Sequence, residues 1–554
     1  VTADGASENR ESRDHGDLWN SADEVPLSRR QGVSPGESIA DPSSQTNADG
    51  ASGHAGNVAD LLAATARAKP DAAALVDTAT AETLTWAEVD AAVDAQVAEL
   101  RAAGLTAGDR VALCLPTSVA FVIALFGVLR AGGVAVPLPP QGPESELRGL
   151  IEHSGARLLI GAAADDLPGD VRVLSAVTAG EQRPEPVEPV GAGEDLAVLS
   201  YTSGTTGAPR GVMLSHRALL ANVTQLEHLP VRVVEPSDRV LISIPMFHVY
   251  GLGPGLLAGT SAGATLVLAE RFDVHTALEA CVKYRVTSLL GVPTMYVELA
   301  ALPADELGEG LATVRLLTSG AAPLHPKVLA AIRGATGLGV FEGYGLTETA
   351  PVVTTTMVTG YPKPGSVGRP LPGVELRLVD SDGTVGPVPL DPADPDDVFA
   401  EDDGEPMGTG LVSIRGANLF SGYWPDGAHG PDGEGWFRTG DVGYLDTDGD
   451  LHLVDRANDL IIVNGFNVYP NEVESVINAL PGVAESAVVG VVDERSGEAV
   501  KAVIVPERGA ALSEQQVMDA CTEALAGYKV PRTVEFADSL PHSATGKLRR
   551  MNLR

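Results

Sequence analysis

The chain has 554 residues and a formal net charge of −36, with 74 acidic against 38 basic side chains. That excess excludes nucleic acid and anionic membrane surfaces as partners, because phosphate backbones are bound by basic patches. The length calls for two or more domains with separate cores, and the three widely spaced cysteines, Cys114, Cys281 and Cys521, fit buried thiols in a reducing cytoplasm and offer no nucleophile.

Residues 1–56 are rich in Ser, Asp, Glu, Gly and Asn and poor in large apolar residues, which predicts a disordered acidic tail. No basic segment followed by an apolar core opens the chain, so no signal peptide is expected. Periodic structure begins near Asn57. The segment Leu84 to Gly104 reads as a helix with Thr85 as N-cap and Gly104 as its stop. Val119 to Leu129 is apolar all round after the start signal Pro116, Thr117 and Ser118; it falls short of the ~20 residues that span a bilayer and reads as a buried helix.

From Leu199 to Leu214 the sequence is LSYTSGTTGAPRGVML, which predicts strand, loop, strand. Thr202, Ser203, Gly204, Thr205, Thr206 and Gly207 carry almost no bulk, so backbone N–H groups and hydroxyls can converge on phosphate oxygens, with Arg210 adding charge. No Gly-Lys-Ser/Thr follows, so the loop is not a Walker motif; a Ser/Thr/Gly surface loop is the bland alternative. Further on, apolar runs at 239–244, 264–269, 287–292 and 314–319 alternate with helical patterns, which argues for α/β layers with buried parallel strands.

Three motif matches fail on context. Gly32 to Gly36 lies in the tail, Gly259 to Gly263 precedes a strand, and Gly253 to Ala258 carries Pro254 without directly following a strand, so neither a nucleophile elbow nor a dinucleotide fingerprint is expected. The acidic run 390–405 reads as an exposed loop. Asp446, Asp448 and Asp450 lack the continuation of a calcium loop and read as a hairpin turn. After Asp455, strands at 460–463, 486–492 and 500–505 with helices at 470–480 and 513–526 predict a small α+β domain.

YGLTET (Tyr344 to Thr349), the block from Gly435 to Glu474 that contains FRTGD and NGFNVYPNEVE, and PHSATGKLRR (Pro541 to Arg550) follow the loop in order. Together these motifs resemble the adenylate-forming superfamily of acyl-CoA synthetases, peptide-synthetase adenylation domains and luciferases, most closely the fatty acyl-CoA ligases. The resemblance runs from about Asn57 to the C-terminus. It implies a large α/β N-terminal domain of layered sheets and helices (57–455) and a small mobile α+β C-terminal domain (456–554).

The implied reaction activates an aliphatic, medium- or long-chain carboxylic acid as acyl-AMP and transfers the acyl group to CoA, releasing pyrophosphate and AMP, with Mg²⁺ as cofactor, in the cytoplasm. The 202–211 loop would hold the β- and γ-phosphates, Glu348 the Mg²⁺, and Thr347 the α-phosphate. Tyr344 would face adenine, with the backbone of Gly320, Ala321 and Ala322 beside it. Asp441 would accept the ribose hydroxyls and Arg456 would be a second ribose or phosphate contact. Lys547, one of only seven lysines against thirty-one arginines, would bridge the carboxylate and α-phosphate as a point charge. Gly465 would lie against the pantetheine arm, Asn458 would be the pivot, and His248 would close an acyl pocket that Val292 to Tyr296 helps to line. Arg210 and Asn458 depart from the family, which usually carries lysine at the first position and Asp or Lys at the second. An acyl-AMP ligase that loads a carrier protein and a non-catalytic nucleotide-binding regulator are the rival readings; the chain ends four residues after Arg550, so no fused carrier domain is expected.

Overall fold

A computed structural model of the chain describes residues 56–161, 167–178, 180, 185–202, 210–380, 383, 409–456, 459, 461–463, 466–493, 495–542 and 548–553. The expectations for residues 1–55 and for the acidic run 390–405 lie outside the described residues.

The four apolar runs become strands Arg239–Ile242, Thr265–Leu268, Ser288–Gly291 and Leu316–Ser319. They form the middle of a nine-stranded sheet, ordered Arg369–Pro370, Val352–Thr355, Val340–Gly345, Leu316–Ser319, Ser288–Gly291, Arg239–Ile242, Thr265–Leu268, Ala73–Asp77, Thr83–Thr85. Neighbours from Val340–Gly345 to Ala73–Asp77 run parallel and the edges antiparallel. A second sheet holds six strands, ordered Arg172–Leu174, Leu158–Gly161, Arg110–Cys114, Val134–Pro137, Leu196–Thr202, Arg210–Ser215. One hydrophobic core spans both.

Two helices pack against each other within that core. In Trp86–Ala102, Thr85 and Glu88 form a reciprocal capping box. Thr85 is the N-cap, as the sequence suggests, so the helix begins at Trp86, while Leu84 before it pairs with Leu75 in the sheet. Val119–Arg130 is buried continuously from Phe121 to Arg130, with Ser118 as N-cap. Arg130 at its end is neutralised by Asp90 (2.5 Å) and Asp94 (2.7 Å), which permits an arginine only 1% exposed. Among the described residues no helix is long and apolar enough to cross a membrane.

Gly251–Leu257 forms a π-helical turn containing Pro254, and Ala258–Ala262 is a helix that leads into a strand, so neither glycine motif there makes a strand-to-helix turn. The strands Val374–Val379, Gly410–Gly416, Phe437–Leu445 and Leu451–Arg456 form an antiparallel four-stranded sheet. Asp446 to Asp450 make the expected turn between the last two, and Lys363 Nζ lies 2.6, 2.8 and 3.1 Å from the carboxylates of Asp446, Asp448 and Asp450. An ammonium thus occupies the middle of the acidic triplet.

A smaller C-terminal domain follows. Its antiparallel strands Phe466–Val468, Ile461–Val463, Gly497–Pro506 and Val483–Asp493, with Thr533–Phe536 added in parallel, pack with helices Pro470–Asn478 and Glu514–Ala524 around a separate core. Lys327, from the large domain, donates to the terminal carbonyls of the first of these helices, Asn478 O (3.1 Å) and Ala479 O (3.3 Å).

Candidate active site

The strands Leu196–Thr202 and Arg210–Ser215 are an antiparallel hairpin in which half-buried Thr202 pairs with exposed Arg210. The predicted loop residues Ser203, Gly204, Thr205, Thr206 and Gly207 lie outside the described residues, as do Asn458, Gly465 and Lys547. What is described is the frame that carries the loop. Segment 421–424 pairs with its second strand: Ser421 N–H donates to Met213 O (2.9 Å), Met213 N–H to Gly422 O (3.1 Å) and Trp424 N–H to Gly211 O (2.8 Å). Gly422 has φ +103° and a Cβ there would stand 2.1 Å from Gly427 O, so only glycine fits the bend.

That bend delivers Tyr423. Its hydroxyl donates to Glu348 Oε1 at 2.6 Å, and Arg210 Cζ lies 5.4 Å from its ring centroid. Burial and the Glu348 carboxylate both push the Tyr423 phenol pKa upward, so the phenol stays a donor. Three groups from separate segments, the end of the loop, the YGLTET turn and residue 423, thus form one cluster. Thr347 and Glu348 are half-buried in the short turn Thr347–Thr349, which directly follows the strand Val340–Gly345.

Tyr344, on that strand, donates to Asp441 Oδ2 at 2.6 Å. Asp441 pairs in register with Arg456 across the four-stranded sheet, so the backbone brings these three predicted residues together. Gly320 is buried, with the Tyr250 ring 3.2 Å from where a Cβ would stand. Ala321 is exposed and holds φ +72°, a left-handed conformation that alanine adopts at a cost, and Ala322 is half-buried. Beneath this loop Glu342, 6% exposed, accepts from Leu324 N–H (3.1 Å), and burial pushes its pKa to about 7.

His248 is half-buried, its ring 4.8 Å from that of Phe247, and burial lowers its pKa to about 4, which keeps it neutral. Among the described residues no hydrogen bond joins it to Glu348. Two residues on, Tyr250 bonds Thr318 Oγ1 (3.1 Å), and Tyr296 donates to Thr318 O (2.8 Å). Val292 caps the helix Pro293–Ala300, and Tyr296 within it is fully buried over Gly291.

Tyr423, Glu342 and Tyr250 escape the sequence reading. Tyr423 had a signal: only 4% of the chain is aromatic, and Tyr423-Trp424 beside a glycine stands out against that. Glu342 sits two residues before the predicted Tyr344 on the same strand, and Tyr250 lies within PMFHVYG.

Comparison with known proteins gives the family. The family model "AMP-binding enzyme" matches residues 62–424 and "AMP-binding enzyme C-terminal domain" matches 472–547. The chain belongs to the AMP-binding enzyme family. Among curated relatives of this AMP-binding enzyme, feruloyl-CoA synthase of Amycolatopsis sp is 37% identical over 504 residues, covering 88% of this chain and 96% of the relative. A long-chain-fatty-acid–CoA ligase of Escherichia coli O157:H7 is 33% identical over 503 residues, covering 81% and 86%. The crystal structure of ATP-bound MatB from Rhodopseudomonas palustris superposes with TM-score 0.79 at 32% identity over 90% of this chain and 98% of that one. The activity class of this AMP-binding enzyme is AMP-forming acyl-CoA ligation.

Proposed function

We propose that this chain is a cytoplasmic, ATP- and Mg²⁺-dependent ligase that activates an aliphatic, medium- or long-chain carboxylic acid. The acid's carboxylate oxygen attacks the α-phosphorus of ATP, the bond to the β-phosphate oxygen breaks and pyrophosphate leaves. The CoA thiol then adds to the acyl carbonyl, its proton is lost, and AMP leaves. The observation that carries this reading is the Arg210, Tyr423 and Glu348 cluster, which joins the end of a phosphate-type loop to a carboxylate.

Ser203 to Gly207 and Arg210 hold the β- and γ-phosphates; Thr347 and Lys547 contact the α-phosphate, where charge builds as pyrophosphate departs. Tyr344 and Asp441 seat the nucleoside, with Arg456 as a second contact. Glu348 fits Mg²⁺: one of its oxygens is held by Tyr423, and the ion prefers one or two carboxylate oxygens with phosphates and water. When bound, Mg²⁺ neutralises phosphate charge. The chain divides into a tail 1–56, a large domain 57–455 and a small domain 456–554 that turns about Asn458 and brings Gly465 to the pantetheine arm for the second step. His248, neutral at physiological pH, gates the acyl pocket.

A second reading, an aryl acid, is favoured by the feruloyl-CoA synthase relative and by Tyr250 and Tyr296, which fill space beside Gly320 and Gly291. Rates of acyl-CoA formation with octanoate, palmitate and ferulate decide between them. A kcat/KM at least ~10-fold higher for a fatty acid, a discrimination of ~1.4 kcal/mol, upholds the first reading; the reverse order replaces it with the second.

A further inference from the structure

Tyr423 is held by more of the fold than its place in an irregular segment suggests. Its backbone N–H donates to Ala428 O (3.0 Å) and its carbonyl accepts from Gly427 N–H (2.8 Å), while its neighbours pair with the hairpin strand Arg210–Ser215. Phe420, packed edge-on against the Tyr423 ring at 5.1 Å, donates its N–H to Glu348 O (3.0 Å). Segment 420–424 therefore grips Glu348 twice, at its backbone and at one carboxylate oxygen, and grips the phosphate-loop hairpin as well.

A carboxylate with one oxygen taken by a phenol cannot rotate freely and presents the other oxygen alone. That suits Mg²⁺, which takes carboxylates singly in a tight octahedron, and disfavours Ca²⁺, which readily takes both oxygens of one carboxylate. We propose that Tyr423 is a positioning residue that fixes Glu348 as a one-oxygen ligand, setting both the affinity and the choice of the metal that accompanies ATP. The proposal rests on the reading of Glu348 as the metal carboxylate. Hydrogen-bond partners of metal ligands commonly account for ~10–100-fold in metal affinity, so the effect is measurable.

The test is equilibrium binding of α,β-methylene-ATP to the full chain with Mg²⁺, with Ca²⁺ and with EDTA. Tyr423→Phe keeps the ring over which Arg210 lies and deletes only the hydroxyl. It should reduce the Mg²⁺-dependent gain in nucleotide affinity ~10-fold, lower the Mg²⁺-to-Ca²⁺ preference, and leave the affinity in EDTA within about twofold. Glu348→Gln should remove the Mg²⁺ gain, and adding Tyr423→Phe to it should do nothing more. An unchanged Mg²⁺ gain in Tyr423→Phe, or an equal loss in EDTA, overturns the proposal while Glu348→Gln still reports the metal ligand. If Glu348→Gln itself keeps the gain, the reading of Glu348 fails and takes the proposal with it.

Discussion

The Tyr344 hydroxyl and Asp441 Oδ2 meet at 2.6 Å across 97 residues of sequence, and their residues are only 8% and 7% exposed. A phenol donating to a buried carboxylate orients it, so the oxygens proposed to take the ribose diol stand ready before nucleotide arrives.

Removing that hydroxyl in Tyr344→Phe should raise KM for ATP ~10-fold, as expected for a charged hydrogen bond of ~1.5 kcal/mol, with a smaller effect on kcat. Asp441→Ala should raise it further. Steady-state kinetics at saturating acid measure both; if Asp441→Ala leaves KM for ATP unchanged, the ribose assignment is wrong.

Glu342 should make stability fall as pH rises. Burial holds its native pKa at about 7, above the ordinary 4.5, so between those values the native state keeps a proton that the unfolded chain has lost. Its contribution is full below about pH 4.5, is lost as pH climbs to about 7, and amounts to ~1–3 kcal/mol. Glu342→Gln, which can still accept from Leu324 N–H, should abolish this slope and be the more stable form at pH 8. Parallel melting temperatures for the two proteins across pH 5 to 8 would sink the assignment.

Ala321 pays for its left-handed backbone. Ala321→Gly should be neutral or up to ~1 kcal/mol more stable, the relief of strain being partly offset by a more flexible unfolded chain, whereas Ala321→Val should destabilise by ~1–2 kcal/mol. Urea unfolding measures both, and equal destabilisation by the two substitutions would contradict the strained geometry.

Local signals made much of this legible. The Thr85 and Ser118 caps, the parallel apolar runs and the strand–loop–strand hairpin each declare themselves within a few residues. The partners across the site do not. Tyr423 meets Glu348 75 residues away, and Lys363 meets Asp446 83 residues away, pairings set by sheet topology. Ala73–Asp77 and Thr83–Thr85 join a sheet otherwise built from residues 239–370, and nothing in their own sequence indicates that destination.

The proposed rotation about Asn458 would break the bonds from Lys327 to Asn478 and Ala479. Asn458→Pro, with φ fixed near −65° and one N–H lost, should keep ATP–pyrophosphate exchange within ~10-fold while CoA thioester formation falls much further. Lys547→Ala should do the converse, losing adenylation and sparing thioester formation from supplied acyl adenylate. Equal losses in both half-reactions for either variant would remove the alternation mechanism.

The most direct test of the account is a product balance. The purified chain is incubated with ATP, Mg²⁺, CoA and one acid from a panel of chain lengths, and nucleotides and thioesters are quantified together by mass spectrometry. The account predicts AMP, pyrophosphate and acyl-CoA in equal amounts, with acyl adenylate accumulating when CoA is withheld. Release of ADP and phosphate in place of AMP, or no consumption of ATP with any acid, would contradict it.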